Sequence, residues 1–171
     1  MIQGMSVLAG LEENIPSLRR YAWTLLRNSS DADDLVQDCL VRALDRIDTS
    51  HAKGDLRPWL FTIMHNLFVS RWRGGKVRAA MTADDAEADL AVSPAQPASV
   101  EMRDVLRGLD TLPRDHRQVI LLVAVEGFQY DEVADMLGIP IGTVMSRLSR
   151  ARDRLRDFVE GRERPLLRRV K

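Results

Sequence analysis

The strongest constraint on this chain is the run from Phe128 to Arg156, where two helical apolar stripes are separated by Gly138-Ile139-Pro140. Tyr130, Val133, Ala134 and Leu137 recur at steps of three and four, which predicts one face of a short helix, and small Ala134 lets a second helix come close. Gly138 can take the left-handed conformation that ends a helix, and Pro140 cannot continue a helix interior. A second helix follows. Ile141, Val144, Leu148, Ala151 and Leu155 form its apolar stripe, while Thr143, Arg147, Arg150 and Arg154 form a polar one at the same spacing.

Two short helices joined by a glycine turn, the second armed with Arg, Ser and Thr, are what a helix-turn-helix reader of the DNA major groove requires. The bland alternative is an amphipathic helix whose arginines are solvated and paired with Asp153 and Asp157. Charge sorting favours the first reading. From Ile139 to Lys171 there are ten Arg or Lys against four Asp or Glu, in a chain of zero net charge. A basic stripe beside a helix-turn-helix is an electrostatic footprint for phosphates.

The rest of the chain reads as helix and linker. Its 171 residues, 45% of them hydrophobic, suffice for one ordinary domain or two small ones. No alternating run reads as a strand, and the fold class is all-α: two small helical domains joined by a flexible acidic linker, the C-terminal one containing the helix-turn-helix. The expected boundaries are 8–78 for the first domain, 79–98 for the linker, 99–160 for the second domain and 161–171 for a basic tail. Asp84, Asp85, Glu87 and Asp89 lie in the linker among Ala, Ser and two prolines, with no basic residue beside them.

In the first domain, Ile15, Leu18, Ala22, Leu25 and Leu26 predict a helix over 11–27, ended by Asn28-Ser29-Ser30. A second helix begins at Asp31, with Leu35, Cys39, Leu40, Ala43 and Leu44 as its buried stripe. Six acidic residues against two arginines lie between Asp31 and Asp48. Dipole complementarity explains Asp31 and Asp33 but not Gln37, Asp38 and Asp45 further along, so this face is a candidate docking surface for a basic partner. After a loop rich in turn formers, Leu56–Arg73 interleaves Trp59, Phe61, Phe68 and Trp72 with Arg57, Arg71 and Arg73. Rings beside cations suit single-stranded nucleic acid, and the competing reading is that most of these rings are core.

The single Cys39 allows no internal disulfide. With no secretory signal and no apolar run of spanning length, it points to a reducing cytoplasm. His51, His65 and His116 have no partners at ligand spacing, so no metal is expected, nor any cofactor. No nucleophile, base and orienting group converge, which argues against an enzyme.

Two separated blocks carry a resemblance. Asp31-Ala-Asp-Asp-Leu-Val-Gln-Asp-Cys-Leu-Val-Arg-Ala-Leu with Arg57-Pro-Trp-Leu-Phe-Thr-Ile-Met-His-Asn-Leu resembles the first domain of extracytoplasmic-function sigma factors. Leu112-Pro-Arg-Asp-His-Arg-Gln-Val-Ile-Leu-Leu with the run from Glu126 to Arg152 is similar to their last domain. The match runs in the family's order over nearly all of 11–160.

The resemblance implies a bacterial transcription initiation factor that binds core RNA polymerase, directs it to promoters and helps to open the DNA. It implies that Asp34, Gln37 and Asp38 dock on polymerase. It implies that Ser50, His51, Lys53, Trp59, His65, Asn66, Arg71, Trp72 and Arg73 meet the single-stranded minus-ten element. Thr143, Ser146, Arg147, Ser149, Arg150 and Arg154 are implied to meet the duplex minus-thirty-five element, with the acidic linker in a polymerase channel that otherwise holds RNA. An anti-sigma factor is the expected regulatory partner, and any membrane contact would run through it. Met145, His65 and Ser70 depart from the family's usual Lys or Arg, Arg, and Asp, so the promoter sequence does not transfer. The alternatives are a stand-alone helix-turn-helix regulator and a sigma-like decoy that captures an anti-sigma factor.

Overall fold

The computed structural model describes residues 2–46, 55–74 and 100–161. The expected linker, most of the loop from Thr49 to Asp55 and the basic tail beyond Gly161 lie outside them. The described residues form seven helices: α1 (Ile2–Leu26), α2 (Ser29–Leu44), α3 (Leu56–Arg73), α4 (Val100–Asp110), α5 (Arg114–Ile120), α6 (Tyr130–Leu137) and α7 (Ile141–Val159). Leu121–Val125 continues α5 as a π-turn. No strand occurs among the described residues, and none of their helices is long and apolar enough to cross a membrane.

Helices α1 to α3 make the first domain. Helix α1 begins at Ile2, nine residues before the expected start at Leu11, and ends at Leu26. Arg27 follows in the left-handed region at φ 55°, a conformation that costs a non-glycine residue about 1 kcal/mol. Asn28 then caps α2, its side-chain oxygen accepting from the Asp31 N–H at 3.0 Å. So α2 starts two residues earlier than its acidic first turn suggested. Asp55 does the same for α3, accepting from the Arg57 N–H at 3.1 Å. Leu18, Tyr21, Leu25, Leu35, Leu60, Phe61, Met64 and Phe68 fill the space between the three helices, with Ala22, Ala32 and Ala43 buried among them.

Two positions assigned to apolar stripes face outward instead. Leu44 is 47% exposed and Ile141 46%. Both sit at helix ends, where periodicity continues but no helix among the described residues covers them. Val36 and Met136 are buried in addition to the expected stripes.

Helices α4 to α7 make the second domain. Gly108 lets α4 lie against α7, since a Cβ there would stand 3.0 Å from Leu155 and 3.1 Å from Phe158. Arg117 is buried, a charge that periodicity does not anticipate; its guanidinium donates to the carbonyls of Asp110 at 3.0 Å and Leu112 at 3.3 Å, which fixes the turn between α4 and α5. In the π-turn the Glu126 N–H bonds back to the Leu121 carbonyl at 2.9 Å, five residues earlier. Gly127 at φ 75° then redirects the chain and Phe128 enters the core. The turn between α6 and α7 forms as expected: Gly138 is left-handed at φ 63°, and the Ile139 N–H reaches back to the Ala134 carbonyl at 3.0 Å.

The two domains pack against each other, so their buried residues form one continuous cluster. Phe61 of α3 meets Phe128 edge-on with ring centres 5.0 Å apart, and Tyr21 of α1 packs on Phe61 at 5.4 Å.

Candidate polymerase and nucleic-acid interfaces

Helix α7 is presented by the Gly138 turn with Val144, Leu148 and Ala151 buried, which turns Met145, Ser146, Ser149, Arg150 and Arg154 outward. Thr143 and Arg147 are half-buried at the edge of the same face. The Ser146 hydroxyl donates to the Thr143 carbonyl at 3.1 Å. Arg147 is tied to Asp115 at 3.1 Å, and Arg154 reaches the Thr111 carbonyl at 3.4 Å. The pairing of Arg156 with Asp153 at 3.7 Å spans one helix turn between exposed side chains and involves none of the four residues of the polar stripe.

The cations on this face act on His116. Burial first, then the charges of Arg154, Arg150 and Arg147, hold its imidazole below the ordinary value of 6.5, with Asp115 pulling the other way. The same three arginine charges that add to the effect of burial on His116 would attract a phosphate.

The expected minus-ten residues are arranged differently. Asn66 and Arg73 are exposed, while Trp59, His65, Arg71 and Trp72 are half-buried. Trp72 packs on Phe68 at 6.4 Å and lies under the Arg114 guanidinium at 4.7 Å. His65 shares a 3.4 Å contact with Gln118, and burial followed by the charge of Arg114 lowers its pKa. Arg71 bonds to the Asp38 carboxylate at 2.5 Å and the Asp34 carbonyl at 3.1 Å. Ser50, His51 and Lys53 lie outside the described residues. Trp72, Arg114, His116, Thr143, Arg147 and Arg150 help to line a single cleft of about 610 Å³ between the domains.

On α2, Asp34, Gln37 and Asp38 are all exposed, and the same side of the helix continues into Val41, 57% exposed, and Leu44. The outer stripe is thus acidic at one end and apolar at the other. The apolar part was hidden in the sequence, because Leu44 fits the buried period as well as the exposed one.

Comparison with known proteins agrees with this architecture. Residues 11–65 match the family described as the Sigma2 domain of PhyR, and residues 102–155 match Sigma-70, region 4. The chain is 41% identical over 152 residues to the ECF RNA polymerase sigma factor EcfG of Rhodopseudomonas palustris, covering 87% of this chain and 83% of that one. Among solved structures it is similar to the sigma factor RpoE of Bartonella quintana in complex with the anti-sigma factor NepR, at TM-score 0.73 and 35% identity over 92% of this chain and 96% of that one. It also shares its fold with the anti-anti-sigma factor PhyR from Bartonella quintana, complexed with NepR, at TM-score 0.55 and 19% identity over 87% of this chain and 49% of that one. Two helical domains in this order, the region 4 match and 41% identity over most of both chains make this chain a member of the extracytoplasmic-function family of RNA polymerase sigma factors.

Proposed function

We propose that the chain divides its work between domains of residues 8–78 and 99–160. The first docks on core RNA polymerase through Asp34, Gln37 and Asp38, with Val41 and Leu44 extending the contact, and reads the minus-ten element as a single strand through α3. Rings such as Trp59 and Trp72 offer stacking platforms, and Asn66, Arg71, Arg73 and His65 line the approach, with Ser50, His51 and Lys53 supplied by the preceding loop. The second domain inserts α7 into the duplex major groove at the minus-thirty-five element through Thr143, Ser146, Arg147, Ser149, Arg150 and Arg154. Residues 79–98 run through polymerase between the two, and the tail over 161–171 adds phosphate contacts. The factor acts in the cytoplasm, where polymerase and promoters are. An anti-sigma factor holds it inactive; the similar RpoE is seen in complex with the anti-sigma factor NepR.

The observation that carries this reading is the outward face of α7, where Ser146, Ser149 and Arg150 stand exposed beyond a glycine turn. The experiment is in vitro transcription with core polymerase on a library of genomic fragments, mapping the starts. Starts downstream of a shared two-block motif, present only with this protein, are expected. Their absence, together with failure to bind core polymerase, would overturn it.

One observation favours a second reading. The family matched by residues 11–65 is a domain of PhyR, an anti-anti-sigma factor. A decoy of that kind captures an anti-sigma factor and starts no transcripts, so the same experiment separates the two.

A further inference from the structure

The charges at the base of α6 are satisfied within the chain. Glu126 leaves the π-turn with its carboxylate only 1% exposed and accepts from Arg20 Nε at 3.0 Å, Arg20 Nη2 at 2.9 Å and Arg57 Nη2 at 2.9 Å. A buried carboxylate is tolerated when it is paired in this way. What α7 leaves uncovered is apolar as well as basic. Met145 is 50% exposed and Ile141 46%, and they stand one turn apart at the start of the helix that carries the arginines.

A single exposed apolar side chain needs no explanation, so the order of residues around the helix decides. With Met145 as origin and about 100° per residue, Ser149 follows at about 40°, Ser146 at about 100°, Arg150 at about 140° and Arg147 at about 200°. Ile141 lies about 40° on the other side. The outward face is therefore graded, apolar at one edge, hydroxyl in the middle and cationic at the other, with Val144, Leu148 and Ala151 buried behind it. Met145 fills no core site: it lines a shallow hollow of about 170 Å³ together with Tyr130 and Ser149.

The cationic edge has phosphates to meet on a duplex, and the hydroxyls have polar base edges. The apolar edge has one counterpart. Major-groove edges carry ring nitrogens, carbonyl oxygens and amino groups, and the projecting hydrocarbon among them is the C5-methyl of thymine. Set against a polar base atom, Met145 would strip its water and return no hydrogen bond; set against a methyl, both groups lose water that neither binds. Its place in the second turn of α7 suits that contact, since the N-terminal residues of such a helix are the ones that reach base edges.

We infer that Met145, with Ile141 beside it, is a specificity-determining residue that reads a thymine methyl group at one edge of the duplex site. The inference rests on the assignment of α7 to the minus-thirty-five duplex, and it names one base that this face selects. The basic edge supplies affinity that every sequence shares, whereas the apolar edge distinguishes thymine from the other three bases.

The test removes the methyl from the DNA. The full chain bound to core polymerase selects among promoter-length duplexes randomised in the upstream block, and each thymine of the selected block is then replaced by uracil, which pairs identically and lacks only the C5-methyl. Replacement should weaken binding about fourfold at one or two adjacent positions, the effect of one buried methyl group. Met145→Ala, a substitution at an exposed position by a strong helix former, should bind the thymine and uracil duplexes equally at those positions. Arg150→Ala should bind more weakly yet keep the full preference for thymine. Uracil replacements that are silent throughout, a selected block without thymine, or a preference that survives Met145→Ala would each overturn the inference while leaving α7 on the duplex. Weaker binding of Met145→Ala to core polymerase without DNA would overturn it by giving this edge to polymerase. Selection of no upstream sequence at all would remove α7 from the duplex, and the inference with it.

Discussion

The two faces proposed for nucleic acid differ in how ready they are. On α7, Ser149 and Arg150 already point outward on a helix whose turn and core stripe are complete. On α3, Arg71 is held by Asp38, His65 by Gln118 and Trp72 by Arg114. A duplex presents its groove ready-made, so a rigid and preformed reader suits it. A single strand exists only after melting, and its reader can be occupied beforehand by bonds within the protein. Neither face resembles the outer stripe of α2, where exposed carboxylates run into Val41 and Leu44. That combination suits a protein surface: apolar burial for affinity, carboxylates for choice of partner.

The sharpest way to break this division is to attack the α2 stripe. Val41→Asp combined with Asp34→Lys should weaken binding to core polymerase by on the order of 100-fold, as central docking residues do, while leaving duplex binding by the full chain unchanged. Equal loss of both would mean that α2 supports the fold rather than a partner. Replacing Asp38 is less clean, because it also releases Arg71.

Trp72→Ala should come next in size. Losing one stacked base costs about 1–3 kcal/mol, so promoter opening followed by permanganate footprinting should fall roughly tenfold or more at constant polymerase binding. Undiminished opening would return Trp72 to the core. Within α7, Arg150→Ala should weaken duplex binding more than Arg147→Ala, whose side chain is already shared with Asp115. An arginine that neutralises a phosphate should, when replaced, lower the salt slope by about one, read from binding titrations at several salt concentrations. An unchanged slope in both variants would remove this face from the interface.

The smallest expected effect is on pH. His116 and His65 are both held below the ordinary 6.5, so the folded chain binds protons less readily than the unfolded one. Their contribution to stability is present above pH 6.5 and is lost as pH falls through the lowered folded values. The thermal midpoint should therefore decline on acidification below that point, and His65→Gln should flatten part of the decline. Duplex binding should run the other way. Phosphate beside Arg147, Arg150 and Arg154 offsets the field that opposes protonation of His116, so affinity should rise modestly as pH drops, and His116→Gln should abolish the trend.

Local punctuation was legible in the chain. Gly138, Pro140 and the apolar steps from Val144 to Leu155 act within one or two helix turns, and residues alone specify the turn they make. The exposed ends of α2 and α7 were less legible, because Leu44 and Ile141 obey the same period as the core, yet among the described residues no facing helix covers them. The role of Glu126 was not legible at all. Its partners, Arg20 and Arg57, lie a domain away, and nothing in a run of Val, Leu and Ala announces that Leu121–Val125 will widen into a π-turn. Buried Arg117 escaped for a related reason: its acceptors are carbonyls, which every sequence supplies and none advertises.

That widened turn works as a phase setter. A helix advances about 100° per residue, and a π-turn holds one residue more than an α-turn in the same length. Deleting Ala124 would absorb that extra residue and keep the phase, whereas rewinding the same residues as plain α-helix would swing everything after them by about that angle. Helices α6 and α7 would survive intact, yet Glu126 would point away from Arg20 and the recognition helix would face a new direction. One residue of slack in a short apolar run thus sets the bearing of α6 and α7 together.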